Sequence, residues 1–249
     1  RIVPAHPFAP VQLFAMLRCF LLVVALAATL RAREPDTVVL LHGLGRTGWS
    51  MMPLAWSLER EGYRVVRLTY PSLTVPLETL ATSWLPAQLA RLSPRPRSLH
   101  IVTHSMGGIL VRAWLAACGT PPELGRVVMI APPNGGSELA ERLAPFAVFR
   151  WLTGPNGYRL GTGPVSLPPQ LGPWPGPAEL GILAGSGSNL PHGLGVLPAP
   201  HDGKVSVAAT HLAGERDHRT LPISHTFILY CRSTYRQVVA FLRDGAFAA

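Results

Sequence analysis

From residue 37 onward, short apolar runs alternate with longer stretches of helical period. The runs are Thr37–Leu41, Arg64–Leu68, Leu99–Thr103, Arg126–Ile130, Leu180–Ala184 and Leu221–Ile223. Most are rich in Val, Ile or Leu without strict alternation, as strands covered on both faces are. Trp49–Glu61, Leu77–Leu92, Ser105–Ala117, Glu138–Leu152 and Thr234–Arg243 can supply the intervening helices. Strand and helix in alternation predict an α/β fold, a mostly parallel, doubly wound sheet flanked by helices.

Two stretches break the pattern. Residues 154–177 are crowded with Gly and Pro and lack periodicity. A long irregular segment inside a compact domain is commonly functional, and its place between the fourth and fifth strands predicts a small irregular cap over a pocket, spanning about residues 138–178. A second irregular stretch, residues 185–200, leads into His201-Asp202-Gly203.

At the N-terminal side, residues 13–30 are almost wholly apolar apart from Arg18. From Met16 they have a basic start, a short apolar core and small residues near Ala27-Ala28-Thr29, as a secretory signal does. The apolar core is short for a bilayer span, which needs roughly 20 residues. Residues 1–33 are therefore expected to be an N-terminal extension carrying a signal sequence, with an uncleaved membrane anchor or a folded helix as alternatives. The expected location is the periplasm or the exterior, or the membrane if the segment is retained. Residues 34–249 are expected to form one domain, a size at which a single core suffices.

Composition narrows the function by exclusion. The chain is 14% charged and 48% hydrophobic, with a net charge of +9. Four arginines lie within residues 1–33 and the others are scattered, so the basic run with interleaved aromatics expected of a nucleic-acid binder is missing. Lys204 is the only lysine. Cys19 falls in the leader, and Cys118 and Cys231 leave a disulfide open. No CxxC or His-rich spacing suggests a metal site.

The chemistry concentrates around one serine. A serine hydroxyl is a weak nucleophile at neutral pH and needs a base and oxyanion donors beside it. Thr103-His104-Ser105-Met106-Gly107-Gly108 places Ser105 between a strand and a helix, with Gly107 leaving room for neighbouring segments, as a nucleophile elbow requires. The pattern departs from the usual elbow at Thr103, where a glycine is usual. Upstream, His42-Gly43-Leu44-Gly45 follows the first strand.

With these motifs the chain resembles the bacterial lipase and esterase branch of the α/β-hydrolase family, over about residues 37–241. The resemblance implies that Leu44 and Met106 donate backbone N–H groups to an oxyanion, and that His42 braces the loop. It also implies an acid and then a histidine downstream. Asp202 in Asp-Gly-Lys-Val fits the acid, with Asp217 its rival. His225 in Ile-Ser-His-Thr-Phe fits the histidine, with His218 its rival. His104 faces away from the serine hydroxyl. Ala131-Pro-Pro-Asn-Gly-Gly-Ser137-Glu138 also resembles a family loop.

The expected activity is hydrolysis of carboxylic esters through Ser105, His225 and Asp202 and an acyl-enzyme, with no cofactor or metal. Some relatives carry calcium, but no acidic cluster for it is evident here. The substrate class is a small-molecule or lipid ester, with association at a membrane surface as a further option. Trp151 and Trp174 suggest an apolar acyl pocket. The alternatives are a deacylase or acyltransferase acting on membrane lipid or glycolipid, and a non-catalytic binding module.

Overall fold

A computed structural model describes residues 35–188 and 195–249, so the leader expected over residues 1–33 lies outside the described residues, as does part of the second irregular stretch. Six strands build one sheet: β1 (Thr37–Leu41), β2 (Arg64–Leu68), β3 (Leu99–His104), β4 (Leu124–Ile130), β5 (Glu179–Gly185) and β6 (Asp217–Leu221). Their order is β2-β1-β3-β4-β5-β6. Every neighbouring pair is parallel.

The absence of strict alternation in the central strands reflects burial on both faces. Val39, Leu41, Ile101, Val127 and Met129 pack against Leu80, Leu85, Ile109 and Trp114 on one side. Val38, Leu40, Val102, Val128 and Ile130 pack against Leu54, Leu58, Val238 and Phe241 on the other. A fully buried side chain of this kind contributes roughly 1.5–3 kcal/mol. Stability therefore resides in the middle of the sheet, and the edges β2 and β6 can be polar.

From β1 the chain runs outward to β2 and then crosses back past β1 to β3. That reversal opens a crevice beyond the C-terminal ends of β1 and β3, where open α/β sheets bind ligands. His42 follows β1 and Ser105 follows β3, in strands held side by side by the pairing of Leu41 with Thr103.

Three expectations are corrected. The last strand is Asp217–Leu221, four residues earlier at its start than expected. Its Asp-His-Arg-Thr-Leu sequence lies at a half-buried edge, so no apolar run marks it, and Pro222 has no N–H with which to continue pairing. The helix expected over Glu138–Leu152 is two, Glu138–Leu143 and Ala147–Gly157, because Pro145 removes a donor and disfavours helix just before it. The stretch expected to be irregular is partly helical, with Leu167–Gln170 a further short helix.

The Ala147–Gly157 helical stretch breaks at Gly154, whose φ of 62° lets the backbone turn against Leu73; a Cβ there would run into the Leu73 carbonyl. Beyond the break, fully buried Asn156 donates from Nδ2 to the Ser72 and Val75 carbonyls and accepts from the Leu77 N–H. This side chain substitutes for a sheet or helix ladder in holding the segment to the body.

Arg112, only 2% exposed, makes the second clasp. It lies on the Met106–Cys118 helix and donates from Nη1 to the Asn134 carbonyl at 2.8 Å, and from Nη2 to the Pro168 and Gly172 carbonyls at 3.0 and 2.8 Å. Burial pushes its pKa down to about 10, and no carboxylate pairs with it among the described residues. Removing the guanidinium strands two buried carbonyls, those of Asn134 and Pro168, each worth roughly 1–3 kcal/mol, and frees the more exposed Gly172 carbonyl. Arg112→Met should therefore destabilise the domain by about 2–4 kcal/mol, read as a lower urea midpoint; an unchanged midpoint would mean that the clasp carries no stability.

Candidate active site

Ser105 sits where β3 gives way to the Met106–Cys118 helix, with φ 52° and ψ −122°. A non-glycine residue at positive φ stores about 1–3 kcal/mol. The surroundings fix it there: the Ser105 N–H donates to the Ile130 carbonyl at the end of β4, and the Ser105 carbonyl accepts from Gly108 N–H, both at 2.9 Å. The turn also needs Gly107, because a Cβ there would stand 2.8 Å from the Leu41 carbonyl oxygen and 3.0 Å from that of His42. Thr103, in place of the usual glycine, is fully buried with its hydroxyl unpartnered among the described residues.

The Ser105 Oγ lies 3.1 Å from His225 Nε2, and His225 Nδ1 lies 2.7 Å from Asp202 Oδ2. The Asp202 side chain is wholly buried. Its other oxygen accepts the N–H groups of Lys204 and Val205 at 2.9 and 2.8 Å. A carboxylate so held favours the proton on Nδ1, which leaves the Nε2 lone pair facing the serine. The turn and the histidine are also tied through the backbone, since the His225 N–H donates to the Asp202 carbonyl at 3.0 Å.

The rivals are occupied elsewhere. Asp217 accepts the Phe247 N–H at 2.7 Å, and His218 Nε2 meets the Thr210 hydroxyl at 2.8 Å while its ring stacks on His211. Both lie in β6, away from Ser105. Cys118 and Cys231 are free thiols.

His42 is a brace. It is fully buried and stacked on Tyr70, donates from Nδ1 to the Gly43 carbonyl at 2.8 Å and accepts the Tyr70 N–H on Nε2 at 3.1 Å, while the Tyr70 hydroxyl donates to the His42 carbonyl. Burial holds its imidazole neutral by lowering its pKa. Among the described residues, neither Leu44 N–H nor Met106 N–H has an acceptor. Met106 N–H belongs to the first turn of a 13-residue helix whose dipole favours negative charge at that end.

Some contributors carry no obvious signal in the sequence. His104 points away from the hydroxyl, as expected, but its Nε2 donates to the His225 carbonyl at 3.0 Å and so supports the histidine from behind. Ser137, in the loop that resembles a family stretch but whose contacts are not legible from it, donates to the Lys204 carbonyl at 2.7 Å, and the next residue, Glu138, accepts the Ser206 hydroxyl. These two grip the turn that presents Asp202.

A cavity of about 360 Å³ opens at Ser105. Leu139, Leu143, Phe149, Leu152 and Leu160, from the segment expected to form a cap, make its apolar wall. Neither tryptophan expected there takes part: Trp151 is 82% exposed on the outer side of its helix, and Trp174 is buried with its Nε1 donating to Ala178. Phe149, Leu152 and Thr153 share the inner side by helical spacing. Among the described residues no cluster of His, Cys, Asp and Glu is arranged to hold a metal, and no helix is long and apolar enough to cross a membrane.

Compared with known proteins, residues 38–246 match the alpha/beta hydrolase family. Among solved structures, a Bacillus licheniformis lipase in its mature form is similar over 84% of this chain and 91% of its own, with a TM-score of 0.64 and 18% identity. A metagenomic carboxyl esterase is similar over 78% and 65%, with a TM-score of 0.59 and 19% identity. A Pyrococcus furiosus esterase is similar over 84% and 81%, with a TM-score of 0.56 and 16% identity. No curated protein sequence matches the chain significantly.

The buried imidazoles make stability depend on pH. Burial lowers the pKa of His42, His100 and His218, and that of His104 much further. In the unfolded chain each titrates near 6.5. The native state then binds fewer protons, so stability is full above about pH 6.5 and falls as the pH drops toward the folded pKa values. Each group contributes at most about 1.4 kcal/mol per pH unit. The thermal midpoint should fall from pH 7 to pH 5, and His104→Gln should flatten that slope; a slope unchanged by the substitution would contradict the assignment to His104.

Proposed function

Because the chain belongs to the alpha/beta hydrolase family, we propose that it hydrolyses carboxylic esters, with Ser105 as nucleophile, His225 as general base and acid, and Asp202 as the group that orients the imidazole. The observation that carries this reading is the hydrogen-bonded line from Asp202 Oδ2 through His225 to Ser105 Oγ, with spans of 2.7 and 3.1 Å.

The chemistry follows from the positions. His225 Nε2 takes the Ser105 proton as Oγ attacks the ester carbonyl, and the resulting imidazolium is stabilised by the buried Asp202 carboxylate. The carbonyl oxygen, now an oxyanion, is taken up by the N–H groups of Leu44 and Met106. Collapse expels the alcohol, which receives the proton from His225, and leaves Ser105 acylated. Water then attacks the acyl carbon, giving a proton to His225; collapse breaks the bond to Ser105 Oγ, which takes that proton back, and the carboxylic acid is released. The apolar wall supports an acyl chain as the group held in the cavity. The similarity to solved lipases and esterases supports the ester class.

Two measurements test it. A fluorophosphonate probe should label the native chain and His218→Ala but not Ser105→Ala, and undiminished labelling of Ser105→Ala would sink the proposal. Hydrolysis of p-nitrophenyl butyrate should fall by about 10⁴-fold or more in Ser105→Ala and His225→Ala, and comparably in Asp202→Asn, which presents the wrong tautomer.

A further inference from the structure

The walls of the Ser105 cavity contain two ionisable side chains besides the histidines, and both are cations: Arg46 and Lys204. Among the described residues no Asp or Glu lines the cavity. Asp202, two residues from Lys204, is engaged by His225 and by two backbone N–H groups. Arg46 has only long contacts with neutral hydroxyls, Thr226 Oγ1 at 3.3 Å and Tyr230 at 3.4 Å. Among the described residues neither Arg46 nor Lys204 forms a salt bridge.

These charges come from two different loops. Arg46 lies two residues after Leu44, in the loop that follows β1, and Lys204 lies two residues after Asp202. Both cations raise the local potential at His104, and Asp202 offsets part of the effect of Arg46 on Lys204, which is itself exposed to solvent. Two like charges at one cavity repel each other. An anion bound there offsets that repulsion. The apolar wall, by contrast, comes from residues 139–160, so the cavity has an apolar side and a cationic side.

Resting on the reading of Ser105 as an ester hydrolase, we infer that the substrate is an anionic amphiphile: an acyl ester whose alcohol portion carries a phosphate or a carboxylate, seated on Arg46 and Lys204 while the acyl chain lies against Leu139, Leu143, Phe149 and Leu160. Arg46 supplies a planar fork for bidentate contact, and Lys204 a compact point charge. The volume of about 360 Å³ is at the small end for ligand pockets, which suits a single acyl chain.

Three water-soluble hexanoyl esters with the same acyl group separate the possibilities without any lipid interface: the glycerol ester, the glycerol 3-phosphate ester and the ester of a hydroxycarboxylic acid. The native chain should show a kcat/KM about tenfold or more higher for an anionic ester than for the glycerol ester. Comparing the two anionic esters identifies phosphate or carboxylate as the preferred group. The anionic-to-neutral ratio should fall several-fold in Arg46→Gln and in Lys204→Gln, approach unity in the double variant, and persist in Lys204→Arg. Fluorophosphonate labelling of Ser105 in each variant reports whether its site is assembled. A native ratio near unity, or a ratio unchanged in a double variant that still labels, overturns the inference and leaves ester hydrolysis intact. Failure of the native chain both to label at Ser105 and to cleave any of the three overturns the hydrolase reading, and this inference with it.

Discussion

The approach of the Gly107 Cα to the carbonyls of Leu41 and His42 is the contact on which the site depends. The helix that follows β3 must begin hard against the end of β1, and any side chain at residue 107 would push the two apart. With them pressed together, the loop carrying Gly43 and Leu44 lies beside the N-terminal turn of the Met106–Cys118 helix, and Ser105 is forced into its positive φ. The strain at that residue is small beside the burial energy of the central strands, which is why the sheet can sustain it. A strong core therefore sustains a weak point at a chosen place.

From that point outward the polar groups form layers. Ser105 meets His225, His225 meets Asp202, and Asp202 is held by its own turn, which Ser137 and Glu138 hold in place. His104 braces the backbone of His225, and Tyr70 with His42 braces the loop after β1. Most of these groups are buried, and most of the hydrogen bonds between them run from a side chain to a backbone atom. Such bonds fix position without introducing extra charge, and this matters where two cations already face the cavity.

The parts of this architecture that are legible in the sequence are those where local chemistry and burial coincide. β1, β3, β4 and β5 announce themselves because burial on both faces demands continuous apolar runs. Ser105, Gly107, Asp202 and His225 stand out because a tight turn, a close approach and a strand end each restrict the residue type. β6 is illegible because an edge strand tolerates Asp, His, Arg and Thr. The wall segment is illegible for another reason: Asn156 and Arg112 tie it and the stretch after it to the body by side-chain bonds to backbone carbonyls far away in sequence, and Glu141 accepts the Thr162 and Gly163 N–H groups across the segment itself. Its tryptophans mislead, since aromatic content says nothing about which side of a helix faces inward.

Ser137 and Glu138 stand at a junction. They begin the segment that forms the apolar wall, and they also grip the turn that carries Asp202 and Lys204. Wall and acid turn are thus joined through these two side chains. A ligand that forces the wall outward pulls on the same two side chains that keep the carboxylate in line with the imidazole. A substitution that reshapes the wall therefore also acts on the turn that holds Asp202 against His225.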